Sequence, residues 1–205
     1  MAFKNNILVL CACGIIMLFF IAGMPLPASA IKWLILKECM VRVNGTTNIN
    51  KFACTVAGYS NSDTVTCSTG KTSSGSIDMS GDVALHVFNF DCVNTMMTKD
   101  LRKTLKEKEY PLFFIHFISM ERYPRLKPSA ECITGLVSIE LAGVKKLFTI
   151  NYTISMDEKG IIGLSGMQTI HFSDFNLMAP RKLGGMIKTS DKLEVEFLVH
   201  CRIIK

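Results

Sequence analysis

Residues 147–155 read LFTINYTIS, and the strict alternation of apolar and polar side chains in this segment decides the fold class. Phe148, Ile150, Tyr152 and Ile154 share one side of an extended chain, because successive side chains of a strand point in opposite directions. Threonine and asparagine occupy the other side. A strand with one apolar and one polar face is typical of an antiparallel sheet that covers a core on one side and meets water on the other.

The same two-residue period continues on both sides of this segment. VSIEL (residues 137–141) and DKLEVEFLVHCRI (residues 191–203) alternate in the same way, and further strands fit KWLILKECMVRV, FACTVAGY, DVALHVFNF, LFFIHFISM and GIIGLSGMQTIHF. About eight strands, each with one polar face, indicate a closed barrel or a sandwich, and we favour the barrel. The predicted fold is therefore all-β, an antiparallel eight-stranded barrel.

Residues 59–82 differ from the rest of the chain because Ser, Thr and Gly dominate them. Such a composition predicts a polar hairpin or loop, which we place at the rim of the sheet. Within it, STGKTS (residues 68–73) matches the end of a phosphate-binding loop, but Val65 stands where that motif requires a further glycine. A turn rich in Ser and Gly with one exposed lysine is the simpler interpretation.

A short helix is predicted between two of the strands. In TKDLRKTLKEKEYP (residues 98–111) charges of both signs surround Leu101 and Leu105, whose spacing of four places them on one helical face. Pro111 stops any helix because it lacks the backbone N–H and disfavours the α conformation in the preceding residue. The strand that follows, PLFFIHFIS, is apolar on both faces, so we expect the charged helix to cover it as a lid.

The first 30 residues have the organisation of a secretory signal peptide. Lys4 is their only charge, an apolar stretch begins at Ile7, and the segment ends in ASA at Ala30. An uncleaved membrane anchor is the alternative, because the apolar stretch approaches the ~18 residues at which spanning becomes feasible. We predict a signal peptide over residues 1–30, a barrel domain over residues 31–205, and a periplasmic or otherwise exported protein.

The charge of the chain excludes one class of partner. Without its first 30 residues the chain has 22 basic and 17 acidic residues, a formal net charge of +5. Because acids are interspersed with the bases, as in DLRKTLKEKE, we predict no nucleic-acid partner. The mild excess is compatible with transient contact with anionic membrane surfaces.

Six cysteines remain after the predicted cleavage, and an exported protein meets an oxidising compartment in which disulfides persist. Six cysteines permit 15 complete pairings, so spacing alone does not assign the bonds, and free buried thiols are the alternative for some of them. Cys39 and Cys201 fall in the expected first and last strands, which adjoin in a closed barrel, so we expect them to lie near each other. The six are Cys39, Cys54, Cys67, Cys92, Cys132 and Cys201.

The sequence contains no motif for catalysis or metal binding. The four histidines lie on four different predicted strands, and neither HExxH nor a CxxC pair occurs. His171 and Asp174 form the one close histidine–carboxylate pair, and a structural hydrogen bond or cap is a simpler interpretation of it than catalysis. We therefore predict no catalytic residues, no metal and no enzymatic activity.

The order of these parts resembles the YceI-like family of exported lipid-binding proteins. The similar pieces are VRVNGTTNINKFACTV (residues 41–56), the strand leading into FDC (90–92), the charged helix with its YP at 110–111, FFIHF, GLVSIELAGVKKLFTINYTI, and FSDFNLMAPRKLGGMIKTSDKLEVEF (172–197). Together they cover nearly the whole chain from Ile31 onward. The chain departs from the family at LAGVKKLF, where many members have HGVTKPV, and in its cysteines, so the identity of the ligand is not transferred.

The resemblance implies a lipocalin-like barrel with the helix as its cap, and a hydrophobic cavity for a long isoprenoid-type chain. It also places Cys54 and Cys92 beside the cap end, and we predict a disulfide between them. If the barrel holds such a chain, its contacts come from the inward faces of the central strands. These predicted ligand-binding residues are Val137, Ile139, Leu141, Phe148, Ile150, Tyr152, Val195 and Phe197.

We therefore expect an exported carrier, monomeric or homodimeric, that holds a polyisoprenoid, a quinone or a related lipid and needs no further cofactor. An eight-stranded barrel is just wide enough either to be packed by its own side chains or to hold one small ligand. The first alternative is accordingly a filled-core structural or stress-response barrel that acts through protein contacts. The second is an unrecognised hydrolase, which would use His171 or Asp174 in catalysis.

Overall fold

Antiparallel pairing of strands organises the structure, a computed structural model that describes residues 30–71 and 75–204. The predicted signal peptide lies outside the described residues except for Ala30, which begins the first strand. One α-helix, α1, spans Thr95–Thr104, and within the described residues no helix is long and apolar enough to cross a bilayer. The strands are β1 (Ala30–Ile35), β2 (Met40–Thr47), β3 (Lys51–Ala57), β4 (Thr64–Lys71), β5 (Ile77–Ser80), β6 (Asp82–His86), β7 (Leu112–Met120), β8 (Glu131–Leu141), β9 (Val144–Met156), β10 (Ile161–His171), β11 (Arg181–Lys182) and β12 (Ile187–Ile204).

Eight of these strands close into a barrel. In the order β1–β4–β5–β7–β8–β9–β10–β12 each strand is hydrogen-bonded to the next, and β12 returns to pair with β1. These pairings are antiparallel, and inward residues such as Trp33, Ile133 and Ile162 are almost fully buried. The structure thus confirms the predicted eight-stranded antiparallel barrel with one helix between strands.

Both β1 and β2 pair with the same edge of β12. Ile35 lies opposite Cys201 and Met40 lies opposite Leu198, so the chain advances five residues from β1 to β2 while β12 advances only three. The two additional residues lie between β1 and β2, and they interrupt KWLILKECMVRV, which the sequence predicts as one strand. Beyond this interruption β2 pairs with β3, which extends the wall toward the end of the barrel that carries α1, here called the helix end.

At the helix end the wall is closed by β3 and by the chain that follows β6. The amide of Thr55 donates to the carbonyl of Asp91 (2.7 Å), and the amide of Asp91 donates back to the carbonyl of Thr55 (3.0 Å). Next to this bridge Cys54 and Cys92 form a disulfide, which confirms the predicted pairing. The bond fixes β3 to the segment that leads into α1.

The other four cysteines in the described part of the chain are free thiols. Cys39 lies in the connection between β1 and β2 and not within the first strand, and its Sγ is 4.0 Å from the carbonyl oxygen of His200. This contact places Cys39 beside the residue that precedes Cys201, as expected, and the two thiols are not bonded to each other. Burial raises the pKa of Cys67 and of Cys201 to about 12, so these two thiols stay protonated.

Local hydrogen bonds set both ends of α1. The side chain of Asn94 accepts from the amide of Met97 (3.0 Å) and caps the N-terminus. Just past the last turn, Lys106 has a left-handed backbone conformation with a φ of 54°. The helix therefore ends at Thr104, earlier than the stop at Pro111 that the sequence predicts, because the left-handed residue already breaks the helical path.

The helix lies over the end of the barrel, whereas the sequence predicts that it covers a face of β7. Leu101 and Leu105 are buried in one cluster with Phe113, which belongs to the inward face of β7. On the outward face Phe114 and His116 stack with ring centroids 5.9 Å apart and are half-buried. The second apolar face of this strand is thus partly covered by neighbours in the sheet itself, and the helix is free to close the interior.

Residues 59–82 contribute strands to the barrel wall. β4 and β5 pair as the predicted hairpin, but β4 also pairs with β1, so the placement at the rim is wrong. Val65 and Cys67 point inward and are buried, while Thr64 and Thr66, which alternate with them, face outward. The polar composition is misleading because every second residue of a wall strand faces water.

Removing the disulfide is expected to destabilise the barrel. Replacing both Cys54 and Cys92 by alanine releases a link between residues 38 positions apart, which lowers the free energy of unfolding by about 2–4 kcal/mol. Urea unfolding of the oxidised wild type and of the double variant measures the difference. Cys132→Ala, which removes an exposed free thiol, is the control and shifts the free energy by no more than about 0.5 kcal/mol. Equal midpoints for wild type and double variant would contradict a structural role for the bond.

Candidate ligand-binding site

An apolar cavity of about 130 Å³ lies inside the barrel. Leu101 of α1 and Leu105, the residue that follows α1, line it at the helix end, and Cys39 and Tyr59 line it near the other end. The wall between them comes from the inward faces of β2, β3, β6, β7, β8, β9, β10 and β12. Nearly all of these side chains are aliphatic or aromatic, so the cavity offers burial to an apolar molecule and few polar contacts.

Six of the eight predicted ligand-binding residues border this cavity. They are Ile139, Leu141, Ile150, Tyr152, Val195 and Phe197. The other two are elsewhere in the core: Val137 is fully buried without bordering the cavity, and the ring of Phe148 packs against that of Phe175 at a centroid distance of 6.1 Å. The alternation of apolar residues therefore identifies the inward face, but it does not tell which inward residues leave space beside them.

Several cavity residues are absent from the sequence-based set. Phe113, Ile115 and Phe117 of β7 line the cavity, as do Val83 and Leu85 of β6. DVALH shows the two-residue period, whereas FFIHF is apolar on both faces, so alternation does not mark its inward side. Their contribution follows only from the way in which the strands are arranged around the barrel, because inward residues from every part of the wall can reach the common interior.

Two glycines make room for an aromatic pair at the cavity wall. The rings of Tyr152 and Phe197 meet edge to face with centroids 5.7 Å apart. A Cβ atom at Gly135 would lie 2.6 Å from the Tyr152 ring, and a Cβ at Gly166 would lie 2.4 Å from the Phe197 ring. Larger residues at these two positions would push the aromatic side chains out of place, so the glycines shape this part of the wall.

The hydroxyl of Tyr152 is a polar group of the cavity wall. Tyr152 is 3% exposed and, among the residues that the structure describes, its hydroxyl has no hydrogen-bond partner. The hydroxyl of Tyr59 donates to Asp63, and the Gln168 amide donates to the carbonyl of Thr169 (3.1 Å). Burial raises the pKa of Tyr152, so its hydroxyl remains a protonated donor. A hydroxyl without a protein partner can donate a hydrogen bond to an oxygen of a ligand.

The barrel wall has a seam between β9 and β10. The two strands pair only over Ile162–Ser165, and toward the helix end β9 continues beside β8 while β10 continues beside β12. Gln168 lies on the separated part of β10 and borders the cavity. The 3-10 turn Phe172–Phe175 contacts both strands there, and the Lys146–Asp174 ion pair joins it to β9. The seam is thus closed by side chains and not by backbone hydrogen bonds.

The His171–Asp174 pair serves this turn. The amide of His171 donates to a carboxylate oxygen of Asp174 (2.8 Å), and the imidazole Nδ1 lies 3.4 Å from the same oxygen. Partial burial raises the pKa of Asp174, but Lys146 and the His171 amide outweigh it and lower the pKa below its usual value. Asp174 therefore carries a negative charge that caps the turn, in agreement with the structural interpretation of the pair.

A surface groove of about 500 Å³ lies outside the helix end. It runs between α1, the β2–β3 turn and the segment from Pro180 to Thr189. Leu101 lines both this groove and the internal cavity, so one side chain of α1 stands between the two spaces. Asp100, the preceding residue, forms an ion pair with Lys182 across the groove.

Two solved structures share the architecture of this chain. BcnA from Burkholderia cenocepacia superposes with a TM-score of 0.56 and 15% identity, and the match covers 80% of this chain and 96% of BcnA. A polyisoprenoid-binding domain from Saccharophagus degradans, implicated in plant cell wall breakdown, superposes with a TM-score of 0.59 and 9% identity, covering 83% of this chain and 97% of that domain.

These likenesses concern the fold. No protein-family model and no curated protein sequence matches the chain. At identities of 15% and 9% the superpositions report architecture alone, and they extend over nearly the full length of both solved proteins. They confirm the fold that the resemblance implies, an antiparallel barrel with one helix between strands.

Alanine substitutions of two isoleucines in β9 test whether the side chains beside the cavity are less tightly packed than those elsewhere in the core. Both isoleucines point inward, but Ile154 is 1% exposed and does not line this cavity, whereas Ile150 does. We expect Ile154→Ala to lower the free energy of unfolding by about 2–5 kcal/mol and Ile150→Ala to lower it by clearly less, because Ile150 already lacks some packing partners. Urea unfolding of ligand-free protein measures both changes. An equal or larger loss for Ile150→Ala would indicate a filled core at this position.

Proposed function

We propose that this protein binds and carries an apolar molecule with a long hydrocarbon chain. The observation that carries the proposal is the apolar cavity whose helix end is separated from an external groove by Leu101. The description of the Saccharophagus degradans neighbour as a polyisoprenoid-binding domain supports the same class of ligand. In this proposal the protein holds its ligand without transforming it, and the His171–Asp174 pair is already occupied in capping a turn.

The sizes of the two spaces suggest how a long chain would be held. The cavity, at about 130 Å³, is similar to an engineered cavity of about 150 Å³ that binds benzene. It therefore accommodates a segment of a chain, and the groove of about 500 Å³ accommodates the remainder. A molecule that occupies both would pass the side chain of Leu101.

Burial of hydrocarbon supplies enough free energy for such binding. Each buried CH₂ group contributes about 0.8 kcal/mol, so a five-carbon isoprene unit contributes about 4 kcal/mol. Two buried units reach about 8 kcal/mol, which corresponds to a dissociation constant near 1 μM before the cost of association is subtracted. Affinity in this proposal comes mainly from the number of buried units, and a polar contact adds a smaller contribution.

The disulfide supports the second element of the proposal, which is export. A bond between Cys54 and Cys92 is stable in a periplasmic or extracellular environment and is rare in the cytosol. Signal-peptide cleavage after Ala30 would leave the barrel nearly complete, because β1 begins at Ala30. A carrier of hydrophobic molecules has an evident use in an aqueous compartment next to a membrane.

A charge placed inside the cavity should abolish ligand retention. Ile150→Arg places a cation in an apolar wall, where it remains desolvated beside the ligand at a cost of several kcal/mol. The neighbouring residue Thr149 faces outward and is exposed, so Thr149→Arg is the matched control. Mass spectrometry of solvent extracts measures retained lipid in purified wild type and in both variants, with circular dichroism as a check of folding. A wild-type protein without extractable lipid, which also fails to retain added geranylgeraniol, would favour the filled-core barrel.

The hydroxyl of Tyr152 predicts a preference for ligands whose hydrocarbon chain ends in an oxygen atom. As a donor without a partner, it matches an oxygen acceptor such as a quinone carbonyl or a prenol oxygen. We expect Tyr152→Phe to bind geranylgeraniol about three- to ten-fold more weakly and to bind squalene, an isoprenoid hydrocarbon without oxygen, as the wild type does. Competition with a fluorescent fatty probe measures both affinities. Equal losses for the two isoprenoids would mean that the hydroxyl does not contact the ligand.

A further inference from the structure

Four large apolar side chains are exposed around the groove at the helix end. They belong to three separate segments: Ile49 to the β2–β3 turn, Met96 to the first turn of α1, and Leu183 and Met186 to the link between β11 and β12. Their exposed fractions are 66% for Ile49, 64% for Met96, 69% for Leu183 and 75% for Met186. Exposed apolar side chains that gather from several segments at one end mark an interaction surface more strongly than scattered ones do.

A hydrogen bond joins two of these segments. The side-chain amide of Asn48 donates to the carbonyl of Met186 (2.9 Å), and the amide of Lys188 donates to the side-chain oxygen of Asn48 (2.9 Å). The Asp100–Lys182 ion pair joins the same link to α1. The three segments therefore form one connected surface, which we call the docking face and define as residues 44–52, 95–104 and 177–189.

The docking face is strongly basic. Its three segments contain seven lysines and arginines and one acid, Asp100, which is paired with Lys182. Their net charge of +6 equals the formal net charge of the entire chain, so the other residues are neutral in sum. The next acid along the chain, Asp191, accepts from the amide and hydroxyl of Ser173. The positive charge of the protein is thus concentrated where the apolar side chains protrude.

This combination favours a membrane over a protein partner. Protruding Met, Leu and Ile side chains among lysines are typical of surfaces that insert shallowly into an anionic bilayer. A second copy of the chain is disfavoured, because two faces of charge +6 would repel each other. An anionic lipid surface complements the charge and receives the apolar side chains at the same time.

We propose that the docking face binds the surface of an anionic lipid bilayer. Binding places the groove, and behind it Leu101 and the cavity, next to the hydrocarbon from which an apolar ligand would come. Docking itself is independent of the carrier function, whereas the transfer of a ligand across Leu101 rests on the proposed function above.

Charge reversal on the docking face tests the proposal without touching the groove or the cavity. Lys51, Arg181 and Lys188 are exposed and line neither space. The triple variant K51E/R181E/K188E brings the docking face to a net charge of zero. Its matched control is K127E/K159E/R202E, which reverses three exposed cations near the opposite end of the barrel and changes the total charge by the same amount.

Flotation with vesicles provides the measurement. The folded mature protein is mixed with vesicles of phosphatidylcholine alone or with about 30% phosphatidylglycerol, at about 0.1 M and about 1 M salt. We expect binding to the anionic vesicles at low salt, with loss at high salt. Because each basic residue near such a surface contributes about five-fold, the docking-face variant should bind roughly a hundred-fold more weakly and the control should bind as the wild type does.

A second pair of variants tests the apolar contribution. Met186→Ser removes an exposed side chain of the docking face, and Met167→Ser removes one of similar chemistry on β10, where it is 59% exposed. We expect weaker vesicle binding for Met186→Ser alone. Equal vesicle binding by both charge variants, or binding that does not depend on phosphatidylglycerol, would overturn the proposal. So would a dimer in light scattering that only the docking-face charge reversal dissociates, because the face would then be a protein interface.

Ligand retention in solution separates this proposal from the carrier function. Each variant is loaded with geranylgeraniol in the absence of vesicles, and the retained lipid is measured by mass spectrometry. Normal retention by a charge-reversed protein that no longer floats supports both proposals. Vesicle binding by a wild type that retains no lipid supports docking and refutes the carrier function. Normal retention by a wild type that binds no vesicles refutes docking and leaves the carrier function in place.

Discussion

The hydrogen bonds between β12 and β1 are the constraint on which the remaining structure depends. Because they close the sheet, every wall strand turns one face to a shared interior, and the two-residue period assigns each side chain to the inside or the outside. The 18 residues of β12 allow its edge to hold both β1 and β2. At the helix end, beyond the reach of β1, the Thr55–Asp91 bridge and the neighbouring disulfide hold the wall together.

The interior is not completely filled because the wall is a β-sheet, whereas its helix end is closed by a 3-10 turn and by α1. Strands of a continuous sheet bring their side chains into contact, but β9 and β10 separate toward the helix end and leave that region to a 3-10 turn. At the helix end the interior is closed by Leu101 of α1 and by Leu105 just after it, and not by another strand. The seam, the groove and the helix end of the cavity consequently lie in the same half of the barrel, which is also the half with the basic surface.

The sequence predicts the barrel and the inward faces of its strands. The features that it does not predict depend mostly on contacts between residues that are distant in the chain. Alternation assigned Ile150 and Tyr152 to the inward face correctly, because side-chain direction in a strand is a local property. The separation of β9 from β10, the exclusion of Val137 from the cavity wall and the position of α1 over the barrel end depend on partners distant in the chain. The early end of the helix at Thr104 was also missed, because a positive φ at a lysine has no clear signature in its residue type.

The position of Leu101 has a kinetic consequence. In the proposed function a ligand passes Leu101 both when it enters and when it leaves, so this side chain would affect residence time more directly than affinity. The disulfide anchors the segment just before the helix, so larger movements of Leu101 require the helix to shift against a covalently fixed start. If the barrel is a carrier, such a helix would slow the release of a ligand that is held mainly by hydrophobic contacts.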